Sequence, residues 1–214
     1  MLIRRIMTKN PIFIHPDMPI NDVRSLMDKE KIGHLPVLDR NNILVGLVAK
    51  GDLLRGAPSA ATSLDIYEIS YLLTKMTVKD VMEKAVVTVG ENEVIEEAAR
   101  IMADRGIGCL PVMRGSLLVG IITDTDLFHV FINAFGARHL GIRLTCSLQE
   151  KPGQIARLTN AIAEKRGNLV SFVTSEGDDL SMRRITLKVT GISRADLEFV
   201  LKGLGDIEIE DIRE

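Results

Sequence analysis

The chain has 214 residues, of which 46% are hydrophobic and 26% are charged, and its formal net charge at pH 7 is -2. This balance is typical of folded domains and argues against long disordered stretches. The near-neutral charge gives no general electrostatic reason to bind nucleic acid. No apolar run reaches the about 18 residues that a membrane span needs, so we expect neither a nucleic-acid partner nor a membrane partner.

The cysteines, the histidines and the first residues indicate a reducing cytoplasm. Cys109 and Cys146 form neither a CxxC pair nor a disulfide framework. The four histidines show no metal-ligand spacing, so no metal site is predicted. The first residues lack a sustained apolar stretch followed by a cleavage site. We therefore expect no signal peptide and a cytoplasmic location.

An internal repeat organises the first part of the chain. A shift of 75 residues pairs Leu35-Pro36-Val37 with Leu110-Pro111-Val112. One residue is then lost in a turn, and a shift of 74 pairs Asp52 with Asp126. So many matches with a single gap indicate a duplication.

Each copy predicts a β-α-β-β-α unit, in the order short strand, helix, two strands joined by a hairpin, and closing helix. Repeat 1 is assigned to residues 1–56 and repeat 2 to residues 77–135. Residues 57–76 are predicted to be a linker with a short helix over 63–75. The first strands are expected at 12–14 and 86–89. Because one unit is too small to cover its own sheet, we expect the two copies to pack together.

Capping residues set the expected limits of the long helix in each repeat. Asp17 and Asn92 stand where a helix N-cap belongs. Gly33 and Gly108 stand where a left-handed residue would end the helix.

The pattern changes at about residue 139. An alternating strand, an amphipathic helix, two further strands, a helix that Ser193 would cap and a last strand follow one another. This β-α-β-β-α-β order is the ferredoxin-like arrangement. The sequence thus predicts an α/β (α+β) protein with a pair of repeats and a separate domain over residues 139–214.

The repeat resembles the cystathionine-β-synthase-type (CBS) domain pair, also called a Bateman module. The motif that carries the resemblance is Gly-h-x-Thr/Ser-x-x-Asp, where h is hydrophobic. Repeat 2 has it complete from Gly120 to Asp126, whereas repeat 1 has Ala49 in place of the hydroxyl residue. The resemblance implies a regulatory ligand, an adenine nucleotide (AMP, ADP, ATP or a related adenosyl compound), in the cleft between the repeats. No other cofactor is implied.

The motif residues have the chemistry that such a ligand needs. The carboxylates of Asp126 and Asp52 can accept hydrogen bonds from both ribose hydroxyls. Thr123, at a helix N-terminus, suits phosphate oxygens, and Gly120 lets the backbone approach a ligand closely. The resemblance also implies that the backbone of Val86 and Val87 contacts the adenine. It implies further that a basic side chain, that of His34, contacts the phosphate.

Helix capping is the alternative explanation for the motif. Thr123 and Asp126 are both good N-cap residues, and a cap alone would account for them. For the equivalent site at Asp52, Ala49 and Cys109 weaken the case for a ligand further.

The C-terminal region resembles an ACT domain, the regulatory module of amino-acid metabolism. The residues that carry this resemblance are the loop Glu150-Lys151-Pro152-Gly153 and the pair Gly167-Asn168. The resemblance implies that Pro152, Gly153 and Asn168 hold a small ligand, often an amino acid, at a dimer edge. A simple strand-to-helix turn and a helix stop are the alternative. Edge strands favour a homodimer in either case.

Together the two parts resemble the acetoin-utilisation protein B-type family of regulatory proteins. The sequence lacks a G-x-S-x-G motif, a P-loop and a dinucleotide-binding G-x-G-x-x-G, so we predict no catalytic residues and no enzyme activity. The prediction is a homodimeric sensor whose nucleotide acts on the ACT-like domain or on a separate target enzyme. A constitutive dimerisation scaffold and an amino-acid sensor are the alternatives.

Overall fold

The computed structural model describes residues 1–55, 76–177 and 179–214. The contacts divide the chain into two compact units, Met1–Leu127 and Phe128–Glu214. The short helix predicted over residues 63–75 lies outside the described residues.

The two repeats have the same order of elements. In repeat 1 the elements are β1 (Thr8–Lys9), α1 (Ile20–Glu30), β2 (His34–Leu38), β3 (Leu44–Ala49) and α2 (Asp52–Arg55). In repeat 2 they are α3 (Val78–Val81), β4 (Val89–Gly90), α4 (Ile95–Arg105), β5 (Cys109–Arg114), β6 (Leu117–Thr123) and α5 (Asp124–Ala134). The first strands predicted at 12–14 and 86–89 are wrong in extent. Ile14 makes a single parallel bridge with Val37, and the second strand is limited to Val89–Gly90.

The limits of α1 and α4 differ from the prediction. The N-cap positions are Pro19 and Val94, without a side-chain cap, rather than Asp17 and Asn92. The left-handed residue that ends each helix is Lys31 or Gly106, two residues before the predicted glycine. Gly108 has a different reason to be glycine, because a Cβ there would lie 3.0 Å from Oδ2 of Asp124.

The repeats exchange their N-terminal segments. β1 of repeat 1 pairs antiparallel with β6 of repeat 2, in the sheet β1-β6-β5-β4. Glu83 of repeat 2 pairs in the same way with Leu47, which lies in the β2-β3 hairpin of repeat 1; the two backbone hydrogen bonds measure 3.0 and 2.9 Å. Since each sheet borrows backbone from the other copy, neither repeat is complete by itself.

This exchange explains two glycines and two methionines of the repeat. A Cβ at Gly120 would lie 2.5 Å from Sδ of Met7, and a Cβ at Gly46 would lie 2.5 Å from Sδ of Met82. Each glycine therefore accommodates the segment that arrives from the other repeat.

Corresponding side chains of the two repeats are buried. Leu35 and Val37 of β2 are fully buried, as are Leu110 and Val112 of β5. One face of each long helix packs inward at helical spacing: Ile20, Val23 and Met27 of α1, and Ile95, Ala98 and Met102 of α4.

The second unit has the predicted ferredoxin-like order. Its elements are β7 (Ile142–Gln149), α6 (Gln154–Glu164), β8 (Asn168–Glu176), β9 (Met182–Thr190), α7 (Arg194–Leu204) and β10 (Glu208–Arg213). The sheet order is β10-β7-β9-β8, with every pair antiparallel. Ser193 caps α7 by accepting a hydrogen bond from the amide of Asp196 at 3.1 Å. Strand and helix side chains share one core, including Leu144, Leu148, Leu158, Ile162, Leu187 and Leu197.

Candidate functional site

A cavity of about 460 Å³ lies between residues of the two repeats, within the first unit. This volume falls in the range of about 300–1,000 Å³ that is common for small-molecule sites. Repeat 2 contributes the turn from β6 into α5, and repeat 1 contributes the segment after β1 and the residues that lead into β2. The polar or charged side chains that line it include Lys31, His34, Thr123, Asp124, Thr125 and Asp126.

Thr123 and Asp126 hold each other at the start of α5. Oδ2 of Asp126 accepts hydrogen bonds from the backbone N–H and the hydroxyl of Thr123, each at 2.8 Å. The amide of Asp126 donates in return to Oγ1 of Thr123 at 3.4 Å. Among the described residues, no side chain or backbone group hydrogen-bonds Oδ1 of Asp126. The carboxylate is thus fixed through Oδ2, and Asp126 is one of the residues that line the cavity.

Asp124 lines the cavity as well, and sequence reasoning did not place it at the ligand site. Its amide donates to the carbonyl oxygen of Gly108 at 3.0 Å. Its Oδ1 accepts from the backbone N–H of Thr125 at 2.6 Å. The signal that could have found it is its position beside the motif threonine, at the first turn of a helix.

Repeat 1 supplies His34, which is half-buried at the start of β2. Burial lowers the pKa of its imidazole, while the carboxylates of Asp124 and Asp52 act in the opposite direction. The neutral form therefore dominates at pH 7. A neutral His34 can hydrogen-bond a ligand but brings no positive charge to a phosphate.

The structure places Val86 and Val87 apart from the cavity at Asp126. The residues that the 75-residue shift pairs with them, Pro11 and Ile12, line it instead. The exchange of N-terminal segments is the cause, because it sends the segment after β1 to the sheet of repeat 2. The cavity is therefore lined by Pro11 and Ile12 of repeat 1, and not by the valines that were expected to contact adenine.

Gly120 also has a different role from the predicted one. It is not among the residues that line the cavity, and it faces Met7 and the carbonyl oxygen of Thr8. Close packing of the exchanged segment, rather than close approach of a ligand, requires glycine here.

The motif of repeat 1 lies outside this cavity. Oδ2 of Asp52 accepts from the amide of Ala49 at 2.8 Å, and Nζ of Lys50 pairs with Asp28 at 2.5 Å. Cys109, which corresponds to His34, is buried, and this burial raises the pKa of its thiol to about 12. The thiol is therefore protonated and carries no charge at neutral pH.

The residues proposed for an amino-acid ligand lie at opposite ends of the second sheet. Gly153, preceded by Pro152, is the left-handed N-cap of α6 beyond the end of β7, which is level with Met182. Asn168 begins β8 and is level with Thr190. The span from Met182 to Thr190 along β9 corresponds to roughly 26 Å of strand. One chain thus does not bring these residues together.

Two negative findings apply to residues 1–55, 76–177 and 179–214. Within these ranges, no three side chains of His, Cys, Asp or Glu come together as metal ligands. No helix in these ranges is both long and apolar enough to cross a membrane.

The fold and the cavity define a class of protein: a pair of exchanged β-α-β-β-α repeats with a ligand-sized cleft, followed by a ferredoxin-like domain. The CBS domain model matches residues 3–59 and 78–133, and the TTHA0829-like ACT domain model matches residues 140–213. The chain belongs to the CBS domain family, as a tandem CBS pair with a C-terminal ACT domain. The predicted family and fold class are confirmed.

Solved structures of other proteins are similar to the repeat pair. A Vibrio cholerae protein described as an acetoin utilization protein (AcuB) is 32% identical, with a TM-score of 0.54 over 64% of this chain and 95% of that chain. The CBS domain pair of protein MJ0100, in complex with 5′-methylthioadenosine and S-adenosyl-L-methionine, is 26% identical, with a TM-score of 0.52 over 65% and 98%. CBSX2 in complex with AMP is 28% identical, with a TM-score of 0.50 over 61% and 96%.

Two relatives from Methanocaldococcus jannaschii differ in how much of their length this chain spans. Protein MJ1426 is 33% identical over 156 residues, which are 62% of this chain and 92% of that protein. L-aspartate semialdehyde sulfurtransferase is 27% identical over 131 residues, which are 61% of this chain and only 23% of the enzyme. The similarity to the enzyme thus concerns a minor part of it.

Proposed function

We propose that this protein is a regulatory sensor that binds an adenosine-containing ligand in the cavity between its CBS repeats. The observation that carries the proposal is the meeting of Thr123 and Asp126 of repeat 2 with Pro11, Ile12 and His34 of repeat 1 around one cavity. The adenosyl ligands of MJ0100 and CBSX2 support the same chemistry for this chain.

Each side of the cavity has a role in this proposal. Asp126, held by Thr123 through Oδ2, presents Oδ1 to a ribose hydroxyl. The segment from repeat 1 offers backbone groups to adenine. Because Pro11 has no N–H, its backbone offers the base only an acceptor, the carbonyl oxygen. The donor to the base is therefore the N–H of Ile12.

Binding would be read out through a second element. We propose that the protein is a cytoplasmic homodimer without catalytic activity, and that the ligand shifts the dimer or the ACT domain between two states. Such a shift requires that the ligand bind the two states with different affinity. A separate target enzyme would sense the favoured state.

Thermal unfolding with a ligand panel tests the proposal. The panel contains AMP, ADP, ATP, 5′-methylthioadenosine, S-adenosylmethionine and amino acids, each added to protein shown by absorbance to be free of nucleotide. A ligand at 100 times its Kd stabilises by about 2.7 kcal/mol, which raises Tm by a few degrees. We expect Asp126→Ala to abolish the shift and the matched variant Asp52→Ala, in repeat 1, to retain it. A shift lost in Asp52→Ala and kept in Asp126→Ala would contradict the assigned site.

A constitutive scaffold is the second candidate. One observation favours it: the capping bonds at Asp52 and Asp126 account for both carboxylates without a ligand. The same panel separates the candidates, since a scaffold would respond to no compound. A shift with an amino acid alone would instead assign sensing to the ACT domain.

A further inference from the structure

The cavity carries more negative than positive charge. Among its lining residues are the carboxylates of Asp124 and Asp126 and a single ammonium group, that of Lys31. His34 adds no compensating charge, because burial lowers the pKa of its imidazole. A ligand with phosphate groups would bring about two further negative charges for a monophosphate, and more for ATP.

The positive end of α5 is already satisfied by the protein itself. The backbone N–H of Thr123 donates to Asp126 at 2.8 Å, and that of Thr125 donates to Asp124 at 2.6 Å. A helix N-terminus attracts anions because its N–H groups lack partners. Here two carboxylates occupy that position, so the turn offers a phosphate little of the usual attraction.

The backbone hydrogen bond that the amide of Asp124 makes does not require a negative side chain at this position. Its counterpart in repeat 1 is Lys50, whose amide makes the same bond to Gly33, at 2.9 Å, that the amide of Asp124 makes to Gly108 at 3.0 Å. A positive side chain is thus compatible with this backbone, and the negative one is a property of the repeat 2 site.

We infer that the cavity selects adenosine derivatives whose 5′ substituent is neutral or positively charged, such as thioethers and sulfonium compounds, over AMP, ADP and ATP. Asp124 is the specificity-determining residue, because its carboxylate repels a 5′-phosphate and attracts a sulfonium. This inference rests on the proposed function.

Calorimetric titration of the full chain with four compounds tests it. The compounds are 5′-methylthioadenosine, S-adenosylmethionine, AMP and ATP, which share adenosine and differ at the 5′ position. For the unmodified protein we expect the first two to bind at least about ten-fold more tightly than the nucleotides. Asp124→Asn keeps an oxygen acceptor for Thr125 but removes the charge. It should tighten AMP about ten-fold and weaken S-adenosylmethionine, with little change for neutral 5′-methylthioadenosine.

Two further variants make the result specific. Asp124→Lys introduces the residue of repeat 1 and should move the preference to ATP. Asp22→Asn removes an exposed carboxylate of α1 that does not line the cavity, and should change no affinity.

Each other outcome has a defined meaning. If AMP or ATP binds the unmodified protein as tightly as the thioether, the selectivity inference is wrong and the proposed function stands. If the selectivity exists but is unchanged in Asp124→Asn, Asp124 is not its cause. If none of the four compounds binds, the proposed function fails together with the inference.

Discussion

Repeat 1 and repeat 2 share a backbone arrangement at the start of their closing helices but carry different side chains there. The amides of Ala49 and Thr123 donate to Oδ2 of Asp52 and Asp126 at the same distance, 2.8 Å. Only Thr123 adds a hydroxyl bond to its aspartate. The shared carboxylate is therefore explained by capping in both repeats. The motif aspartate alone is weak support for a ligand, and the surrounding cavity is the stronger support.

The residue that the other repeat contributes near each motif is also better suited to a ligand at Asp126 than at Asp52. His34, half-buried, lines the cavity at Asp126, whereas its counterpart Cys109 is buried and protonated. The repeats are thus equivalent in their packing and different in their binding chemistry. Substitutions in the buried cores and at the tight glycines test the equivalence in packing. Substitutions at the capping motifs and at His34 test the difference between the two sites.

The largest effect is expected from the buried side chains at corresponding positions of the two repeats. Leu35→Ala and Leu110→Ala each remove a fully buried side chain at corresponding positions. Each should lower the free energy of unfolding by about 2–5 kcal/mol, since lost burial and a residual cavity add together. Urea denaturation measures both, and Leu117→Ala, at a position 53% exposed, is the control. A small effect at one of the two buried positions would show that the repeats do not pack equivalently.

The next effect concerns the exchange of segments. Gly46→Ala and Gly120→Ala would each place a Cβ 2.5 Å from a methionine Sδ, that of Met82 or Met7. Overpacking of this kind costs about 1–3 kcal/mol. Gly90→Ala, where nothing lies within 4 Å, should have little effect. If both tight positions tolerate alanine as well as Gly90 does, the exchanged segments are not held as described.

The element order could be predicted from the sequence because apolar spacing and turn residues are local signals. α1 and α4 follow from their buried stripes, and the second unit follows from two amphipathic helices between alternating strands. Helix limits were less accurate. The left-handed residue that ends the helix is Lys31 in repeat 1, and lysine has no preference for this conformation that the sequence could show. In repeat 2 the same position is occupied by Gly106.

The exchange of segments could not be predicted from the sequence. Two similar repeats give the same periodicity whether a segment joins its own sheet or that of the other copy. For this reason the sequence alone points to Val86 and Val87 at the site that Pro11 and Ile12 line. The grouping of Thr123 with Asp126 is predictable, because residues three positions apart at the start of one helix are close in any fold that keeps the helix.

A reciprocal substitution tests the difference between the capping motifs. Thr123→Ala removes the hydroxyl bond to Asp126, which should cost about 0.5–1.5 kcal/mol. Ala49→Thr supplies the same hydroxyl beside Asp52 and should raise stability by up to a similar amount. Urea denaturation measures the free energy of unfolding of both single variants and of the double variant. The value for the double variant should lie close to that of the unmodified protein. A loss of stability in Ala49→Thr would mean that the two backbones are not interchangeable.

The smallest effect is a pH dependence to which His34 contributes. The unfolded imidazole titrates at about its ordinary pKa of 6.5, whereas burial lowers the pKa in the folded state against the attraction of Asp124 and Asp52. The unfolded state therefore binds more protons between these two pKa values, and the free energy of unfolding falls as the pH falls through 6.5. His34→Gln removes this contribution. The free energy of unfolding of the unmodified protein minus that of the variant should therefore decrease from pH 8 to pH 5. His129→Gln, at an exposed position, is the matched control. If this difference instead increases toward acid pH, the folded protein prefers the charged imidazole, and His34 would then offer a positive charge to a phosphate.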